Sequence, residues 1–270
     1  MKTTKLTGLL AAPPTPMAPD GSLDLGPIEK LYEMLVANGV RGAFVCGTTG
    51  ESMSLTVQER RRIAERWTAL AEGEFAVIVH AGHNCLPAAM DLAAHAQRIG
   101  AYGVAAMAPS FFKPASVADL VSFCTQVAAA APELPFYYYH MPAMTGVTIP
   151  VADFMEQAIG RIPTLAGCKF TYEDLMDYGR CLKLAGGRLD MLFGRDEILL
   201  SALALGARGA IGTTYNFAAP LYRRVMDAYE AGDMAAARDW QWRAQEMVAV
   251  LNSSGGLAAV KPIMQMIGLD

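Results

Sequence analysis

The chain has 270 residues, 53% of them hydrophobic and 18% charged, with a formal net charge of −4. That length and composition fit one large domain with a substantial core, and no disorder signature is present. The charge balance offers no basic field for nucleic acid, and no apolar run is long enough to span a bilayer.

The first residues, MKTTKLTGLL, place lysines ahead of a short apolar patch, as a leader would. AAPPTP follows at once and breaks that patch, so a signal peptide is not expected. The first strand-like run is 7–12 (TGLLAA). Residues 27–38 then put Ile28, Leu31 and Leu35 on one helical face, with Pro27 at the start and Gly39 at the stop. A second strand, 43–46 (AFVC), leads into CGTTGES, 46–52. There two glycines flank two threonines, so N–H groups and hydroxyls can converge on an anion. A tight turn needing glycine at positive φ explains the same residues. No lysine follows, which argues against a nucleotide loop. The next helix, 56–71, carries Arg60, Arg61 and Arg62, expected on a solvated face or a subunit contact.

The third strand, 76–80 (AVIVH), runs into HAGH, 80–83. Without cysteines or carboxylates beside them, His80 and His83 are a poor zinc site. A helix over 87–99, a strand over 103–108 (GVAAMA) and a helix over 116–130 follow. The fifth strand, 136–139 (FYYY), alternates faces, so Tyr137 and Tyr139 point one way and Tyr138 the other. Tyr139, last before the loop, is placed to move protons at that end of the strand, although tyrosine also suits plain packing. His140 is expected to be a satisfied polar residue.

After a helix over 151–159 comes the sixth strand, 165–170 (LAGCKF). Lys169 is the sole charge in LAGCKFT, and the other six of the chain's seven lysines fall at the N-terminus, on helices or in loops. A partly buried salt bridge or a snorkelling side chain would account for it. So would an amine kept neutral by desolvation so that it can attack a carbonyl. Beyond a helix over 172–185, the seventh strand (191–193) ends in GRDE, 194–197, and the eighth (209–212) in GTTYN, 212–216. Asp196, Glu197 and Thr213 suit either helix capping or hydrogen bonds to a polyhydroxylated ligand. Helices are expected over 196–205 and 217–230.

Eight strand–helix units predict an α/β fold, a closed (β/α)8 TIM barrel over 1–231, with reactive residues at the C-terminal ends of the strands. An open doubly wound sheet is the runner-up, but no GxGxxG follows an early strand. Helices over 232–253 and 257–268 form a C-terminal extension, 232–270, expected to pack on the barrel or on a neighbouring chain. Five scattered cysteines without a CxxC pair are expected to be free thiols in a reducing, cytoplasmic compartment.

GTTGES, YYYHMPAMTG and GCKFT, in that order, resemble the dihydrodipicolinate synthase and N-acetylneuraminate lyase superfamily along nearly the whole chain. PELPFYYYHMPAMTGV, LFGRDEILLSAL and IGTTYN are closer to the lyase branch. The resemblance implies a class I aldolase, usually a tetramer, that cleaves N-acetylneuraminate reversibly to pyruvate and N-acetylmannosamine. It implies Lys169 as the Schiff-base lysine and Tyr139 as the proton-transferring tyrosine. Thr48 and Thr49 would bind the pyruvyl carboxylate; Thr171, Gly194, Asp196, Glu197 and Thr213 would hold the sugar-acid tail. No metal and no cofactor beyond the covalent imine is implied, and neither nucleic acid nor membrane is an expected partner. Met144 stands where the synthase branch has an arginine, which weakens a synthase reading. Phe111 and Phe112 stand where that branch has a tyrosine reaching a neighbouring subunit. The chain stops at Asp270, so one helix fewer than usual is expected. Rival readings are an aldolase or dehydratase for another 2-keto sugar acid, a non-catalytic sugar-acid sensor, and a metal-dependent aldolase using His80 and His83.

Overall fold

The computed structural model describes residues 5–269; Lys2 and Asp270 lie outside the described residues. Eight parallel strands close on themselves in chain order. They are β1 (Gly8–Ala11), β2 (Gly42–Val45), β3 (Ala76–His80), β4 (Gly103–Met107), β5 (Phe136–His140), β6 (Leu165–Phe170), β7 (Asp190–Phe193) and β8 (Gly209–Gly212). β8 pairs back onto β1, with Leu10 opposite Ile211. The (β/α)8 expectation therefore holds, and the open sheet is excluded.

Continuous apolar strands are explained by burial on both faces. Leu10, Phe44, Ile78, Tyr137, Tyr139 and Ile211 fill the barrel interior. Their chain neighbours Leu9, Val45, Val79, Tyr138 and Ala210 pack outward beneath the helices. Strand alternation decides where Lys169 goes: Cys168 and Phe170 face outward, so the lysine between them faces inward. β5 and β6 are registered with Tyr139 directly opposite Lys169.

The covering helices are α1 (Pro27–Ala37), α2 (Val57–Leu70), α3 (Leu86–Arg98), α4 (Val117–Ala129), α5 (Pro142–Thr145), α6 (Val151–Ala158), α7 (Leu175–Lys183), α8 (Leu199–Leu205) and α9 (Tyr215–Glu230). Their starts follow local chemistry. Thr56 and Glu59 form a capping box at α2, and Ser116 Oγ accepts from Asp119 N at α4. α5, a single turn ended by Gly146 at φ +64°, was not expected. The helix expected over 172–185 is shorter, because Ala185 and Gly186 adopt left-handed backbone just after α7. The one expected over 196–205 begins as a 3-10 turn, Asp196–Ile198, before α8. α9 starts at Tyr215 and leaves helical geometry at Ala218, two residues before Pro220, whose ring cannot fit an unbroken helix.

α10 (Met234–Ser253) and α11 (Val260–Met266) follow. α10 lies against α9 and buries Ala237, Gln241, Ala244 and Leu251. Gln241 accepts from Leu200 N and donates to Asp196 O, and Gln245 donates to Glu197 O. The extension thus braces the loop after β7. No single described helix is long and apolar enough to cross a membrane. All five cysteines are free, and only Cys85 is exposed.

Of the arginine run on α2, Arg62 is exposed and Arg61 pairs with Asp91. Arg60 corrects the expectation of a solvated face: it is 1% exposed, and its guanidinium donates to His80 O and Gly82 O. At its position on α2 the side chain points toward the sheet, and its long stem reaches the carbonyls after β3.

Candidate active site

At the C-terminal ends of the strands, Tyr139 and Phe44 flank one amine, that of Lys169. Lys169 is 4% exposed. Its Nζ lies 4.2 Å from the centre of the Phe44 ring and 4.5 Å from that of Tyr139. No carboxylate forms an ion pair with it among the described residues. Burial brings its pKa down to about 7, and the charge of Asp196 acts in the opposite direction. This geometry rules out the salt-bridge explanation and the snorkelling one.

Tyr139 Oη is 2.9 Å from Thr48 Oγ1. Burial pushes its phenol up to about 12, against the Thr48 hydrogen bond, which favours the phenolate. The ring packs edge-on to Phe44 and to His80, which hold it in place. Thr49 Oγ1 is 2.7 Å from Thr213 Oγ1, tying the loop after β2 to the loop after β8.

That β2 loop departs from one expectation. Its left-handed residues are Cys46 (φ 56°) and Glu51 (φ 60°), neither of them glycine. The glycines serve close approach instead: a Cβ on Gly47 would sit 2.9 Å from the Phe44 ring. Left-handed backbone at non-glycine residues is costly and persists where the surroundings enforce it. Thr15 Oγ1 donates to Gly50 O, and Glu51 pairs with Lys261 at 2.6 Å, so the loop is held from both sides.

Thr171 and Gly194 touch. A Cβ on Gly194 would lie 2.3 Å from Thr171 Oγ1, a buried hydroxyl with no partner. Asp196 Oδ2 accepts from Thr214 N at 2.9 Å and from Thr214 Oγ1 at 2.7 Å, while Oδ1 is buried and the Tyr215 phenol lies near the carboxylate. Burial pushes this carboxyl up to about 6, and the Thr214 bonds restrain the shift. Asp196 fits only because position 212 is glycine, where a Cβ would come within 2.1 Å of Oδ1. Gly212→Ala is expected to displace Asp196 and lower turnover about a hundredfold, as angstrom-scale misplacement does. Steady-state kinetics on the folded variant checks this. Glu197 differs from the other expected tail residues: its carboxylate is already paired with Arg195 at 2.7 Å.

Beside the β2 loop lies a cavity of about 620 Å³ lined by Thr48, Thr49, Glu51, Met107, Met144 and Lys261; of the expected site residues, Thr48 and Thr49 line it. A larger one, about 790 Å³, lies at the N-terminal ends of the strands beside Gly8 and Arg41, away from the amine. Reading the sequence missed Phe44, Thr214 and Lys261. The inward position of Phe44 was legible from the alternation in AFVC, whereas Lys261 arrives from a helix more than 200 residues after the loop it braces.

The two candidate metal histidines are not a pair. His80 Nδ1 lies 2.9 Å from Cys46 O, and its Nε2 accepts from Met107 N, so backbone groups occupy both ring nitrogens. His83 Nδ1 accepts from Cys85 N. No group of three or more His, Cys, Asp or Glu suited to a metal occurs among the described residues. His140 is packed by rings rather than satisfied: it contacts Tyr138, Phe170 and Tyr172, and its Nδ1 has no partner. Phe111 and Phe112 are 76% and 85% exposed and stack edge-on against each other.

The family described as "Dihydrodipicolinate synthetase family" matches residues 5–270. N-acetylneuraminate lyase of Gallus gallus is 43% identical over 97% of this chain and 87% of its own length. The protein of that name from Homo sapiens is 42% identical over 97% and 83%. Among solved structures, N-acetylneuraminate lyase of Proteus mirabilis superposes with a TM-score of 0.96 at 41% identity, covering 99% of this chain and 90% of that one. The sialic acid aldolase of Aliivibrio salmonicida gives 0.96 at 42% identity, covering 99% and 89%.

Proposed function

This chain belongs to the dihydrodipicolinate synthetase family, and we propose that it is a class I aldolase that cleaves N-acetylneuraminate reversibly to pyruvate and N-acetylmannosamine. One observation carries the reading. A buried amine, its charged form disfavoured by burial, stands opposite a buried tyrosine in the barrel interior, beside a hydroxyl-rich loop.

The open-chain keto acid lays its carboxylate on Thr48 and Thr49. Neutral Lys169 attacks the C2 ketone, water leaves, and a protonated imine forms. The C3–C4 bond breaks with its electron pair flowing toward the imine nitrogen, leaving an enamine. The C4 hydroxyl becomes the aldehyde of N-acetylmannosamine and gives up its proton. A phenol raised to about 12 keeps its proton at neutral pH, so Tyr139 works as a relay. It accepts from the C4 hydroxyl while passing its own proton toward the substrate carboxylate. Protonation of the enamine at C3 and attack by water release pyruvate and restore the amine.

Thr171, with its free hydroxyl beside Gly194, steadies the C4 oxygen. Asp196 offers its Oδ1 to the polyol tail, with Thr213 and Glu197 alongside. Glu197 has to share its carboxylate with Arg195 to do so. The imine supplies the electron sink, so activity is expected to survive a chelator. A homotetramer and a cytoplasmic location belong to the same reading; sedimentation of the purified chain tests the first. Met144, exposed at the mouth, gives a synthase-type substrate no guanidinium to pair with.

Pyruvate release measured across N-acetylneuraminate and other 2-keto sugar acids tests the substrate. Preference for N-acetylneuraminate is the expected result, and indifference to it contradicts the assignment. The pH profile gives a second prediction. Because the nucleophile is the unprotonated amine, the rate of imine formation is expected to rise with pH and reach half its plateau near 7. A half-point near the ordinary lysine value of 10.5 would contradict it.

A further inference from the structure

Arg60 and His80 are buried groups to which the reaction above gives no part. Arg60 enters from α2 and donates to His80 O and Gly82 O, the carbonyls that end β3. Among the described residues no carboxylate pairs with it. A buried cation held by neutral acceptors alone is a poor source of stability, since an apolar side chain of similar length avoids the desolvation cost. The position therefore needs a guanidinium for something other than folding energy.

Its contacts lead to the β2 loop. His80 Nδ1–H donates to the carbonyl of Cys46, the left-handed residue from which the loop departs. Cys46 Sγ in turn contacts Arg60 O at 3.6 Å, closing a ring of contacts behind the loop. The His80 ring also lies against Phe44 and Tyr139, the two rings that flank the Lys169 amine. Arg60 thus fixes the backbone of His80, and His80 fixes both the root of the loop and the aromatic cage.

We infer that Arg60, acting through His80, is a positioning residue that holds the Thr48–Thr49 loop in the shape that receives a carboxylate. The inference rests on the aldolase reading and adds a residue to it. A neutral imidazole with its proton on Nδ1 is required, because only that tautomer donates to Cys46 O while accepting from Met107 N. Burial and the neighbouring Arg60 charge both keep the ring neutral, in keeping with that role.

Borohydride trapping over a pyruvate series, on folded protein verified by thermal melting, tests it. In Arg60→Met the half-saturating pyruvate concentration is expected to rise at least about tenfold, the loss expected when a carboxylate site is misplaced. The trapping rate at saturation should fall by a smaller factor than the half-saturation value rises, because Arg60 reaches the rings beside Lys169 only through His80. His80→Asn keeps a donor in place of Nδ1–H but loses the ring and the Nε2 acceptor, so its half-saturation value should rise less than that of His80→Leu, which should follow Arg60→Met. A parent chain that traps no pyruvate overturns the aldolase reading. A parent that traps, with Arg60→Met unchanged in half-saturation, overturns this inference alone. If Arg60→Met does not fold, the His80 pair decides: equal half-saturation in Asn and Leu variants overturns it.

Discussion

Lys169→Met is expected to release no pyruvate yet to unfold at a higher temperature than the parent at neutral pH. Both effects have one cause. The folded chain holds an amine whose pKa has been brought from 10.5 to about 7, chiefly by burial. That difference corresponds to about 5 kcal/mol by which the folded state disfavours the charged lysine. The sign follows from linkage: between about 7 and 10.5 the unfolded chain binds a proton that the folded chain does not. The cost is therefore full below about 7, shrinks as pH rises, and is gone above the unfolded value. Methionine fills a similar volume between Phe44 and Tyr139 without the charge. Part of the gain is returned, because Asp196 loses the cation that helps keep it ionised. A net gain of a few kcal/mol gives a rise of about 5–10 °C for a domain of this size. Thermal melts across pH check it: the gap between the two proteins should be widest below about 7 and close toward 10.5. Lys169→Arg should also be inactive, since a guanidinium stays charged and lacks a comparable nucleophilic amine. Its buried charge cannot be shed, so it should gain no stability. A Lys169→Met variant that still turns over at the parent rate contradicts the account.

Tyr139→Phe separates imine formation from bond cleavage. The ring stays, so the packing against Phe44 and His80 survives and the surroundings of Lys169 change little. What is lost is the hydroxyl 2.9 Å from Thr48 Oγ1. Trapping of pyruvate on Lys169 should therefore continue at close to the parent rate. Cleavage of the sugar acid should fall by about 10²- to 10⁴-fold, the usual worth of a positioned proton-transfer group. The stability change should be small, about 1 kcal/mol from one hydrogen bond left unmade. Single-turnover cleavage alongside borohydride trapping makes the comparison within one protein. A parallel fall in both would assign Tyr139 to shaping the amine's surroundings rather than moving a proton.

Much of this was legible in the chain. The barrel follows from eight apolar runs separated by helical spacing, because only a sheet covered on its outer face needs strands apolar throughout. The inward aim of Lys169 and Tyr139 follows from period-two alternation once both strands are placed. Arg60 was misjudged because a run of three arginines looks alike whether it faces water or the sheet. Which one turns inward depends on the phase of α2, and the phase is set by tertiary packing. The positive φ of Cys46 and Glu51 was hidden for the opposite reason: glycines beside them offered a simpler account of the turn. The bracing of Asp196 by Thr214, and of its loop by Gln241 and Gln245 of α10, joins segments far apart in sequence. No local pattern encodes such contacts.

The nucleophile is tested most directly by mixing the native chain with pyruvate and borohydride over a pH series and mapping the added mass. The account predicts one modified residue, Lys169, with trapping half-maximal near pH 7. Native protein left unlabelled at position 169, or labelled there only as the pH nears 10.5, would contradict it.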